Sequence, residues 1–205
     1  MVLIARITGA IAAALVWFVG APLVSLAGVP FPSDAQYVVI GTVGALLGLT
    51  LAPLPLVIGG AARGRMKAII QFSGLAICIA LIGAGVVLVL AANGRLGDRA
   101  PGWATAPAFV CFAGLFLWVS LASSSFRGRS TIDRGIFWLG MLTGVSFLVP
   151  FLGSILMFYL FRDFVITNAT ILPLLLVTLL VWVSLPSWLT LVVIGLSEKS
   201  GVGPA

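Results

Sequence analysis

The sequence has no histidine, two cysteines and only five acidic residues in 205 positions. Without histidine, bis-His haem, His-ligated chlorophyll and most transition-metal centres are excluded. Cys78 and Cys111 both fall inside apolar runs, where a thiol acts as a small hydrophobe, and two cysteines alone make no metal site. No serine has a plausible base partner in an apolar run, so nucleophilic hydrolysis is not expected. No glycine-rich loop follows a strand pattern, which leaves a nucleotide site without support. Asp133 and Asp163 belong to opposite faces of the membrane in the topology below and form no carboxylate pair. The chain is expected to be non-catalytic and to carry no cofactor or metal.

Charge is scarce as well. Only 8% of residues are charged, against about a quarter in soluble domains, and 61% are hydrophobic. A soluble fold of this length has nowhere to hide that much apolar surface, so lipid is the expected solvent. The polar stretches are too short to fold alone, and residues 1–205 read as a single integral membrane domain.

What is present is six apolar segments. Each is long enough to cross a hydrocarbon core that takes ~20 helical residues. They run about 4–28, 37–61, 68–92, 103–123, 136–160 and 173–196. The expected fold class is all-α, a polytopic transmembrane helical bundle. Pro173 suits the first turn of the last span, with 164–172 in the interface or extending the helix. Ser25 and Ala27 offer a small-x-small cleavage site. The apolar region before them is longer than the ~7–15 residues of a signal peptide, so a retained span is the preferred reading.

The net charge is +6. In a soluble chain such a balance would point to nucleic acid; here the basic residues sit in short loops between apolar runs, and no nucleic acid is expected. "ARGRMK" (62–67) and "FRGRSTIDRG" (126–135) both join an even-numbered span to an odd-numbered one. With Arg6 and Lys199 that side has eight basic residues, and the other has Arg95, Arg99 and Arg162. Eight against three predicts both termini in the cytoplasm, in a bacterial inner membrane. Arg63, Arg65, Lys67, Arg127 and Arg129 are candidate contacts for anionic lipid headgroups, at ~1 kcal/mol per basic residue. The alternative is that they only set topology.

No Asp, Glu or Lys lies deep in any span, and proton-coupled carriers usually need such a group. Gln71 stands one turn into the third span, where an interfacial hydrogen bond is expected. Asn168 opens a formal "NAT" sequon that has no meaning hard against a span. Gly44 with Gly48, and Gly140 with Gly144, form small-x-x-x-small faces that point to close helix packing. Setting "GALLGLT" over "GMLTGVS" pairs these glycines at an offset of 96. Three plus three spans of opposite orientation is how inverted-repeat transporters are built. The other spans do not align, and ordinary membrane composition explains the glycines equally. Pro53 lies 16 residues after Tyr37, roughly 24 Å along a helix. Pro53 and Pro55 are therefore predicted to end or bend the second span near the cytoplasmic edge.

The first three spans, through "IGTVGALLGLTLAPLPL" (40–56), resemble in composition the membrane anchor of bacterial PIN/TRAM-type proteins. The resemblance covers under half the chain. That family's acidic nuclease centre has no counterpart here, so no activity follows from it. Two expectations for function stand. One is an accessory or structural subunit of a larger membrane complex, with the bilayer and other membrane subunits as partners. The other is a small transporter or channel for a neutral or lipid-like solute.

Overall fold

The structure is a computed structural model that describes residues 1–26, 34–96, 100–126, 128, 130–160, 180 and 183–197. Within these, side chains are described except at 18–26, 100–106, 108–109 and 147–160. The described residues are helical and contain no strand. The helices are α1 (Val2–Leu26), α2 (Asp34–Leu51), α3 (Pro53–Ala61), α4 (Arg65–Ala92), α5 (Ala100–Ser123), α6 (Thr131–Leu160) and α7 (Val183–Ser197). A 3-10 turn, Ser124–Phe126, follows α5. Two stretches, Asp34–Ala61 and Arg65–Ala92, are long and apolar enough to cross a membrane. The segment 161–179, which holds Asn168 and the predicted start of the sixth span, lies outside the described residues.

The second predicted span, 37–61, proves to be two helices that meet at Ala52. Pro53 and Pro55 have no N–H to offer the carbonyls four residues back. Thr50 adds to the disturbance: its hydroxyl donates to Leu46 O at 2.9 Å and lies 3.1 Å from Leu47 O, and such back-bonding bends helices. The span does not end there. Ala52 keeps helical angles (φ −52°, ψ −36°) and Pro53 opens α3, whose first turn loses nothing by a missing donor. Pro55 is buried, and a Cβ at Gly74 would stand 2.6 Å from its ring. Its neighbour is α4, so the prolines bend the span at a helix–helix contact. By contrast α6 runs unbroken through position 150.

The helices pack as antiparallel neighbours. Along α2 and α4, a Cβ at Gly41 would lie 2.6 Å from Gly85 O, and one at Gly48 would lie 2.6 Å from Cys78 O. Gly41 to Gly48 is two helical turns, and so is Cys78 to Gly85, so both contacts fall on one face. Gln71 donates from its Nε2 to Leu56 O at 3.1 Å and ties α4 to α3. The start of α1 meets α3 and α7, since a Cβ at Gly9 would stand 3.4 Å from Leu54 and 3.0 Å from Val193. Gly135 faces Leu191 and Gly195 faces Ile132 and Ile136, so α7 runs antiparallel to α6. The start of α1, the α3–α4 turn, the start of α6 and the end of α7 therefore share one end of the bundle.

Candidate functional site

That shared end carries the described basic residues of the two loops, and the starts of α4 and α6 differ. At the α3–α4 turn, Ala62 is extended and its N–H donates to Gly59 O at 3.1 Å. Gly64 has φ 58°, a left-handed conformation that favours glycine. α4 begins at Arg65 with no side chain capping it and no acidic residue in its first turn. Arg63, Arg65 and Lys67 are all exposed, and their side chains make no hydrogen bond or ion pair among the described residues. Cations at a helix N-terminus face the positive end of the dipole, at a cost of about 0.3–1 kcal/mol each.

The start of α6 is built differently. Ser130 Oγ accepts from the Asp133 N–H at 3.0 Å, and Ser130 O accepts from the Arg134 N–H at 3.1 Å. Asp133 is 9% exposed and supplies the negative charge that a helix start favours. The place of a Cβ at Gly128 is taken by the Asp133 carboxylate. Arg127 and Arg129 lie outside the described residues.

The four predicted packing glycines have two kinds of surroundings. Gly48 meets the α4 backbone as above. A Cβ at Gly140 would collide with the Ser123 hydroxyl, and one at Gly144 with the Ser120 hydroxyl. Gly44 is set differently. It is buried, yet a Cβ there would meet nothing within 4 Å. It faces a small apolar cleft bounded by Ile40, Leu81, Leu88 and Phe112. The close contact on α2 passes through Gly41 and Gly48 instead, because the helix turns Gly44 away from that line. Gly44 and Gly140, paired at the offset of 96, thus stand in unlike settings.

Sequence reasoning missed a polar relay. The Trp188 indole N–H donates to Ser123 Oγ at 2.7 Å, and the Ser123 hydroxyl donates to Val119 O at 2.7 Å. The Trp118 N–H donates to Ile70 O at 2.9 Å, and the Ser120 hydroxyl to Gly140 O at 2.9 Å. The two indoles meet edge to face, 6.2 Å between centroids. Four helices, α4 to α7, are joined by these bonds. A signal was available: a tryptophan within an apolar run needs an acceptor for its N–H.

Cys78 is buried and Cys111 half-buried, and both are free thiols. Among the described residues no three His, Cys, Asp or Glu side chains gather where a metal could be held. Comparison of the chain with protein-family models, curated proteins and solved structures finds no match. The resemblance of 40–56 to a PIN/TRAM-type anchor thus stays one of composition.

Proposed function

We propose that this chain is a non-catalytic, multi-pass protein of the bacterial cytoplasmic membrane, with both ends in the cytoplasm, that serves as an accessory or structural subunit of a larger membrane complex. The observation that carries the reading is large apolar side chains turned outward. On α4, Phe72 and Ile79 point out at 74% and 70% exposure, while the inward face mixes Gly74, Cys78, Ala84 and Gly85 with Ile70, Leu81 and Leu88. In each of the two long apolar stretches only 33% of the most apolar window is buried. In water that surface would be a large apolar patch. In lipid it costs nothing, and small inward residues let backbones meet. The cytoplasmic placement is supported by the shared end, which gathers both basic loops, the start of α1 and the end of α7.

Single cysteines at Arg65 and Ser130 should resist an impermeant thiol reagent in intact cells, while one at Gly97 should react; the reverse pattern overturns the topology. Mild solubilisation of native membranes should recover the chain at fixed stoichiometry with other membrane subunits. A chain that emerges alone speaks against the subunit reading. The transporter reading draws on the cleft at Gly44 and the interrupted second span. Flux of a neutral or lipid-like solute through vesicles holding only this protein would favour that reading.

A further inference from the structure

We propose that the α3–α4 turn binds the phosphate headgroup of an anionic phospholipid through Arg63, Arg65 and Lys67, and that the second Arg-Gly-Arg turn, at 127–129, does not match it. The proposal rests on the membrane reading above. Three cations within five residues crowd the positive end of α4, exposed and without a partner among the described residues. Neither a capping side chain nor a first-turn acid relieves them. At α6 the chain answers the same problem itself. Ser130 caps the helix, and the Asp133 carboxylate packs on Gly128. The α4 start therefore lacks an anion that the α6 start already holds. That difference, rather than the count of basic residues, separates the two loops.

The flanking side chains identify the source of the anion. Met66, Ile69 and Phe72 are 36%, 48% and 74% exposed and recur every third residue along one side of α4. An apolar stripe beginning in the same turn as the cations places them at headgroup level, with their aliphatic stems along hydrocarbon and their charges in the interface. A soluble anion would have no use for that stripe.

The test uses the full chain in nanodiscs of phosphatidylglycerol and phosphatidylethanolamine, re-extracted in mild detergent, with the retained lipid quantified. The wild type should keep phosphatidylglycerol severalfold above its bulk ratio, and added phosphatidylglycerol should raise its melting temperature in detergent. Arg63→Gln/Arg65→Gln/Lys67→Gln should return both readouts to baseline. The equal-charge variant Arg127→Gln/Arg129→Gln/Arg134→Gln should keep them. Loss in both variants, or in neither, overturns the assignment. Displacement of the lipid by excess inorganic phosphate overturns the lipid as the ligand. Failure of the wild type to enter nanodiscs overturns the membrane reading itself, and the headgroup site with it.

Discussion

The α2–α4 seam and the α5–α6–α7 junction hold the same bundle together by different means. In the seam, Gly41, Gly48 and Gly85 bring main chain against main chain. At the junction, large indoles fill the space and their N–H groups end on Ser123 and on Ile70 O. Contact between main chains tolerates no added atom. A contact between side chains, with rotatable hydroxyls and a ring edge, can give. Sensitivity to substitution should therefore be sharp along the seam and graded at the junction.

Gly85→Ala is the severest test of that contrast. The new methyl would fall on Gly41 O and within 2.7 Å of the Ala45 nitrogen, both backbone atoms. A loss of about 1–3 kcal/mol is expected, read as thermal or steric-trapping stability in detergent. Trp188→Phe comes next. It keeps most of the ring volume and removes the bond to Ser123, so the loss should be about 1 kcal/mol, the usual scale for a hydrogen bond within a membrane. A loss larger than that of Gly85→Ala would reverse the contrast. Gly44→Ala should be mildest and opposite in sign. With open space at its Cβ and the higher helix propensity of alanine, it should gain about 0.5–1 kcal/mol. Equal harm from Gly44→Ala and Gly85→Ala would mean that the seam is not the narrow line described.

The positions of the helices were largely legible. The predicted segments 4–28, 68–92 and 103–123 fall on α1, α4 and α5 within a few residues, because length and hydropathy alone decide where an apolar helix can run. The rotation of each helix about its axis was not legible. α2 and α4 are apolar all round, so no stripe in the sequence marks the buried face, and Gly44 could not be told from Gly41. The contrast between the two Arg-Gly-Arg turns was hidden for another reason. Ser130 and Asp133 stand at capping-box spacing, but the fit of Asp133 against Gly128 needs the turn to be folded.

Trp118 and Trp188 have one more consequence, an optical one. Both rings are buried, at 3% and 0% exposure, and are set at 83° to each other, whereas Trp17 and Trp138 are 47% and 68% exposed. Indoles held rigidly in an asymmetric setting give near-ultraviolet circular dichroism, and that signal vanishes when side-chain packing loosens while helices persist. The pair is thus a built-in gauge of whether α5 and α7 are seated on each other, readable without any label.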